Sequence, residues 1–295
     1  MSDVNVIRVE SLTVRYGRAV AVDTVNLDIP NGTVYALLGR NGAGKSSLVR
    51  CLVGQQKPEA GRVTLFGDDV WTRREKLMQR VGIVPEESDA PPEMTIERIA
   101  EFCRDVYSRW NDAAVRERVA RFGLQQNKKF GTLSKGQKKQ VMLAVALAMS
   151  PDLLILDDPT LGLDVVARKS LFDEVIADLA DRGTSIFITT HDLAGVEALA
   201  DRVGIMKDGR LVLDEQTETL KSRFRRIRFA SAPVALSAGN LLAASVSQWG
   251  NGTEAVVSNF DDVAFERFRN TTSVADVSPM SLEEIFIAVA GEQGE

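Results

Sequence analysis

Gly39-Arg40-Asn41-Gly42-Ala43-Gly44-Lys45-Ser46 sets three glycines, a lysine and a hydroxyl in the spacing G-x4-G-K-[ST]. Glycines let a backbone curl so that its N–H groups converge on phosphate oxygens. A helix opening near Lys45 would add the positive end of its dipole to the same spot. Lys45 would reach the β- and γ-phosphates, the Ser46 hydroxyl would ligate Mg2+, and Ser47 would extend the cradle. An ordinary glycine-rich turn is the competing reading. The nearly all-apolar run Val34-Tyr35-Ala36-Leu37-Leu38 favours the phosphate site, because it leads straight into the loop as a buried parallel strand should.

A second chemical signal is Leu153-Leu154-Ile155-Leu156-Asp157-Asp158, an apolar run that ends in two acids. Acids at the C-terminal edge of such a strand lie beside a phosphate loop on a neighbouring strand. Asp157 would hold Mg2+ through water, and Asp158 would be the base that polarises the attacking water.

The elements that must position these groups read as alternating strands and helices. VIRVESLTVRYG and VDTVNLDI alternate apolar and polar residues, and Pro30-Asn31-Gly32 is a turn signal. GRVTLFG, RVGIVP and SIFITT read as further strands. From about Glu93 to Phe130 the pattern turns helical, with Ile96, Ile99, Phe102, Cys103 and Val106 spaced as one face. Gly136 to Met149 reads as a helix with a polar start and a buried far end. Val165 to Arg182 reads as an amphipathic helix, with Leu171, Phe172, Val175, Ile176 and Leu179 inward and Gly183 as its stop. The fold class is therefore α/β with a mostly parallel sheet. Near residue 220 the character changes. Lys221, Arg223, Arg225, Arg226 and Arg228 alternate with Phe224, Ile227 and Phe229, Asn251-Gly252 marks a hairpin, and Ser281 to Glu284 is a capping box. The basic stretch reads as the solvated face of a strand, with anionic lipid headgroups as the competing partner.

The 295 residues suffice for one large domain and a small one, and 44% apolar content supports a sizeable core. The net charge of −5 argues against a nucleic-acid partner. Two cysteines without a metal spacing suit a reducing compartment. The N-terminal residues lack a signal-peptide pattern. The longest apolar run, Val141 to Met149, is about half of a bilayer span. The expectation is a chain with no membrane span, on the cytoplasmic side.

With these motifs placed, the order of the rest resembles the ATP-binding cassette (ABC) family, from about residue 6 to residue 215. Leu133-Ser134-Lys135-Gly136-Gln137 resembles its signature motif, Leu161-Gly162-Leu163-Asp164 its D-loop, and His191, after SIFITT, its switch histidine. Tyr16 stands where the family stacks an aromatic ring on adenine. The resemblance implies a P-loop NTPase of the ABC ATPase type, with a mixed sheet core, an antiparallel β edge and a helical subdomain. The cassette would cover 5–220, with the helical subdomain at about 87–135, and 221–295 would form a small C-terminal α+β appendage. It implies ATP and Mg2+ as ligands. His191 would contact the γ-phosphate and the attacking water. Ser134, Lys135, Gly136 and Gln137 would close on the ATP of a second cassette. The implied partners are that second cassette, a homodimer favoured over a heterodimer, and an integral-membrane permease subunit that receives the helical subdomain and holds the chain at the membrane's cytoplasmic face.

Three residues depart from the family pattern. Asp158 stands where Glu is usual, Lys135 where Gly is usual, and Glu86, a further Mg2+ or water ligand, where Gln is usual. The shorter acid implies slow ATP hydrolysis. Glu86 and the Val84-Pro85-Glu86-Glu87 run resemble the exporter branch, with separate permeases. An importer cassette, a catalytically weak partner in a heterodimer and a non-transport ABC ATPase are the alternatives.

Overall fold

The computed structural model describes residues 5–191, 193, 195–230, 241–269 and 274–291. The chain forms two compact units, residues 1–200 with 206–212, and residues 201–205 with 213–295.

In the first unit, β1 (Asn5–Tyr16) and β2 (Ala19–Pro30) form a long hairpin. β3 (Val34–Leu38) leads into α1 (Lys45–Leu52). β4 (Ala60–Leu65) and the short β5 (Asp68–Asp69) complete an antiparallel sheet of order β2-β1-β4-β5. After α2 (Arg74–Met78) and β6 (Val81–Val84) come three helices, α3 (Ile96–Val106), α4 (Asp112–Arg121) and α5 (Lys135–Ala148). β7 (Leu153–Asp157), α6 (Val165–Arg182) and β8 (Ser185–Thr190) follow. The boundary between the units runs through β9 (Arg202–Lys207) and β10 (Arg210–Gln216). The large sheet has the order β10-β9-β3-β8-β7-β6. Its β3-β8-β7-β6 stretch is parallel.

Every residue of β3, β7 and β8 is buried, which explains their unbroken apolar reading. Tyr35 stacks on Phe187 between β3 and β8 at 5.7 Å. A separate core joins α3, α4 and α5 through Ile96, Cys103, Val115, Val119, Val141 and Val145. Two periodicity readings need correction. Phe102 and Val106 are 61% and 46% exposed, so the buried residues of α3 are Ile96, Ile99 and Cys103, with Ala100 packed partly against the same core. Ile176 is also exposed, at 42%. The inward face of α6 shifts toward Glu174 and Asp178, which are buried because arginines meet them. Arg118 of α4 reaches both, at 3.3 and 3.7 Å, and Arg121 adds a 2.8 Å contact to Glu174. Apolar periodicity cannot register a buried face built of paired charges.

The second unit contains α7 (Thr217–Arg223), β11 (Arg225–Phe229), β12 (Ala243–Trp249), β13 (Gly252–Val257), α8 (Asp262–Arg269), β14 (Val274–Pro279) and α9 (Leu282–Ala290). Its antiparallel sheet has the order β12-β13-β11-β14. Ile227, Phe229, Phe265 and Phe268 form its core. The hairpin pairs Trp249 with Gly252, so its two-residue loop is Gly250-Asn251, one position earlier than the Asn-Gly signal suggested. The Ser281–Glu284 capping box forms as read. The basic stretch does not lie on one strand: Lys221 and Arg223 fall on α7, where Arg223 meets Glu215 at 2.6 Å, and only Arg225, Arg226 and Arg228 lie on β11. Arg226 meets Glu284 at 2.7 Å, and Arg228 meets Glu254 at 2.8 Å while lying over the Trp249 ring.

Candidate functional site

The phosphate loop is held from below by backbone. Gly44 precedes α1 with φ 104°, and a Cβ there would lie 2.2 Å from the Ala21 carbonyl oxygen. Only glycine fits that position. Arg40, Asn41 and Gly42 are exposed, Ala43 is buried, and Gly44, Ser46 and Ser47 are half-buried. The Lys45 side chain folds over the loop, and its Nζ donates to the carbonyls of Gly39 at 2.7 Å and Arg40 at 3.3 Å. Burial pulls the Lys45 ammonium below the ordinary lysine pKa, and the nearby charges of Asp158, Asp157 and Glu86 oppose that shift. Tyr16, at the end of β1, is 45% exposed, with its hydroxyl 3.5 Å from Ser47 Oγ.

The acid-ended strand β7 is not the direct neighbour of the loop strand β3 that the sequence suggested: β8 lies between them, so the ends of the three strands bring His191, the loop and the two acids together. Asp157 is 8% exposed and accepts a 2.5 Å hydrogen bond from the Thr189 hydroxyl. Burial pushes the Asp157 carboxyl up, while hydrogen bonds from Thr189 and Ser46 pull it down. Asp158 takes a left-handed backbone conformation, φ 46°. That costs on the order of 1 kcal/mol, and aspartate tolerates it better than most residues. Hydrogen bonds to both ends of the Asp158 peptide fix this turn. The Asp158 N–H donates to the Thr189 carbonyl at 3.0 Å and to its hydroxyl at 3.1 Å, and the Asp158 carbonyl accepts from Lys139 Nζ at 2.5 Å. The Asp158 carboxylate points at His191, with Oδ2 2.7 Å from Nδ1. Its Oδ1 is buried and has no hydrogen-bond partner among the described residues.

Glu86 is exposed, two residues beyond the end of β6. Its charge reaches both Lys45 and Lys139. Ser46 and Asp157, joined by a hydrogen bond, offer oxygen donors side by side, the donor type a hard cation such as Mg2+ takes. The residues present therefore fit that ion.

The Ser134–Gln137 run opens α5. Ser134 is its N-cap, accepting from the Gln137 N–H at 3.2 Å, while the Gln137 side chain accepts from the Ser134 N–H at 3.1 Å. The Gln137 carboxamide is thus engaged as a cap. Beside this turn lies an open cavity of about 610 Å3, lined by Ser134, Lys135, Gly136, Gly162 and Asp164 among others. Lys139 was missed in the sequence. It sits in the polar run Gln137-Lys138-Lys139-Gln140, and nothing in its type separates it from Lys138. One step of helix rotation does: Lys138 lies over the Phe130 ring, and Lys139 is 3% exposed beneath the acids.

Comparison with known proteins agrees with this geometry. The family described as ABC transporter matches residues 22–161. The bacitracin transport ATP-binding protein BcrA of Bacillus licheniformis is 33% identical over 75% of this chain and 73% of its own length. The Nod factor export ATP-binding protein I of Burkholderia orbicola is 38% identical over 68% and 67%. The daunorubicin/doxorubicin resistance ATP-binding protein DrrA of Streptomyces peucetius is 30% identical over 95% and 91%, so that match extends into the second unit. A solved ATP-binding subunit of an ABC transporter superposes with a TM-score of 0.67 at 26% identity, over 74% of this chain and 92% of that one. The dimeric cassette MJ0796 shares the fold, with a TM-score of 0.66 at 23% identity over 72% and 98%. Phosphate loop, acid-ended strand, capped signature turn and these likenesses converge: the chain belongs to the ABC transporter family, as one of its ATP-binding subunits.

Proposed function

We propose that this chain hydrolyses ATP to power an exporter, through the head-to-tail closure of two cassettes that drives a separate membrane permease. The observation that carries the catalytic part is the state of the Asp158 carboxylate. One oxygen is held by His191, and the other is buried and unbonded among the described residues. A carboxylate oriented through one oxygen, with the other left uncommitted, is arranged to accept a proton from the attacking water. In this reading Asp158 is the base, and His191 contacts the water and the γ-phosphate. Lys45 and the backbone from Gly39 to Ser47 bind the phosphates, and Tyr16 stacks on adenine. Mg2+, held by Ser46 and Asp157 with Glu86 near it, would neutralise phosphate charge when bound.

Ser134, Lys135, Gly136 and Gln137 face the ATP of the partner cassette, and a homodimer is the favoured pairing. The capped helix start supports this, since its N–H groups and the cavity beside it suit an anion. Export is supported by the relatives named for Nod factor export and drug resistance. Among the described residues no helix is long and apolar enough to cross a membrane, which suits attachment to the membrane's cytoplasmic face through the permease. Residues 5–220 are the cassette, with a helical subdomain at about 87–135, and 221–295 the accessory domain.

Sedimentation of Asp158→Asn with and without Mg-ATP, beside phosphate release by wild type and Lys45→Ala, tests the proposal. A dimer only with nucleotide, and turnover that is slow in wild type and lost with Lys45, are expected. A chain that stays monomeric at saturating ATP, with or without a co-encoded cassette, would overturn the closure.

A further inference from the structure

Lys139 belongs to the signature helix but does not serve the signature turn. It is 3% exposed, and its ammonium donates to the backbone carbonyl of Asp158 at 2.5 Å. A buried ammonium persists only where partners compensate its lost hydration. Here the direct partner is a carbonyl, and the charges of Asp158, Glu86 and Asp157 lie close enough to act on it. The carbonyl it holds belongs to a residue in a left-handed conformation. That carbonyl also accepts from the Leu161 N–H at 3.2 Å, at the start of the D-loop. Pinning the carbonyl fixes the turn after β7, and the turn sets where the Asp158 carboxylate points.

We propose that Lys139 is a positioning residue that ties the signature helix to the catalytic acid of its own chain. The inference rests on the reading of Asp158 as the base. Lys139 lies five residues beyond the N-cap Ser134, roughly 7.5 Å along the axis. ATP seated on Ser134 by a partner cassette therefore acts on the same rigid helix that holds Asp158. The tie gives each closed site a mechanical link to the other site of the dimer. It would also limit the cost of the shorter acid: Asp158 loses a methylene of reach, and a fixed backbone reduces the misplacement.

The test uses the full-length chain as Lys139→Met, Lys139→Gln and Lys139→Arg, with Asp158→Asn as reference. His191 is the sole histidine, so ring-labelled histidine gives one NMR signal that reports its contact with Asp158. In Lys139→Met, kcat should fall about tenfold or more, the scale expected when a reacting group is misplaced. KM and Mg-ATP affinity should stay within about twofold of wild type. The His191 signal should move away from its wild-type position, and Lys139→Arg, which keeps a donor, should recover part of both effects. Wild-type kcat and an unmoved His191 signal in Lys139→Met would overturn the proposal. So would equal losses in Lys139→Met and Lys139→Arg accompanied by lost ATP affinity, which indicate packing alone. If Lys139→Met does not fold, Lys139→Gln carries the same two readouts. Full turnover in Asp158→Asn would instead remove Asp158 as the base, and the His191 signal of Lys139→Met would still decide whether the tie exists.

Discussion

Thr189 bonds both members of the Asp157-Asp158 pair: its hydroxyl donates to the Asp157 carboxylate at 2.5 Å, and the same oxygen accepts from the Asp158 N–H at 3.1 Å. One hydroxyl on β8 thus orients the acid expected at the metal and the backbone of the acid expected at the water. Thr189→Val keeps the shape and removes both bonds. Turnover should fall about tenfold or more, with ATP still bound, because misplacement rather than loss of a phosphate ligand is the defect. Steady-state rates beside calorimetric ATP affinity check this.

Lengthening the acid probes the same geometry from the other side. Asp158→Glu should raise turnover several-fold, since the usual reach to water returns. His191→Ala should lower it. If Asp158→Glu is no faster than wild type, the left-handed turn and His191 already place the shorter acid correctly.

The buried charges between α4 and α6 carry a stability prediction. Arg118 is the most buried partner of Glu174 and Asp178, and Arg121 and Arg182 hold the same acids from more exposed positions. Arg118→Met leaves two buried carboxylates short of a partner. It should destabilise the first unit by about 2 kcal/mol, less than the full cost of an orphaned buried charge because the other arginines remain. Thermal unfolding of the variant measures it.

Asp152 supplies a pH signature. It accepts from Arg80 at 2.6 Å and Arg109 at 2.9 Å. Burial pushes its carboxyl up, but the two guanidiniums outweigh burial and hold it below the ordinary aspartate value. A depressed folded pKa gives stability that is present above the unfolded pKa and lost as pH falls through the folded one. Asp152→Asn should therefore cost about 1 kcal/mol at neutral pH, a modest figure because the pair is partly exposed. The gap from wild type should narrow only at pH below about 4. Chemical denaturation across that range is the measurement.

Both thiols should be silent in the native protein. Burial pushes Cys51 and Cys103 up to about 11, so little thiolate exists near neutral pH. Thiol titration should report reaction only upon unfolding, and fast labelling of either cysteine would contradict the packing around α1 and α3.

The sequence made some of this plain and hid the rest for physical reasons. The Gly39–Ser46 spacing is legible because few residues can make that loop, and β3, β7 and β8 are legible because strands buried on both faces must be apolar. Phe102, Val106 and Ile176 misled because apolar side chains at helical spacing also occur on exposed faces. Glu174 and Asp178 were invisible as core because their burial depends chiefly on Arg118 and Arg121 of α4, distant in sequence. Lys139 was invisible because its role depends on where β7 ends relative to α5, a tertiary fact with no local pattern.

The contact between Gly44 and the Ala21 carbonyl separates two kinds of selection. A gene library randomised across positions 39–46 and screened only for soluble expression should still return glycine at 44, because any Cβ there strikes the hairpin backbone 2.2 Å away. Position 45 should drift freely in the same screen, since a buried lysine is no asset to solubility or folding. Sequence variation recovered without any demand for nucleotide chemistry would thus distinguish the residue that the architecture requires from the one that catalysis requires.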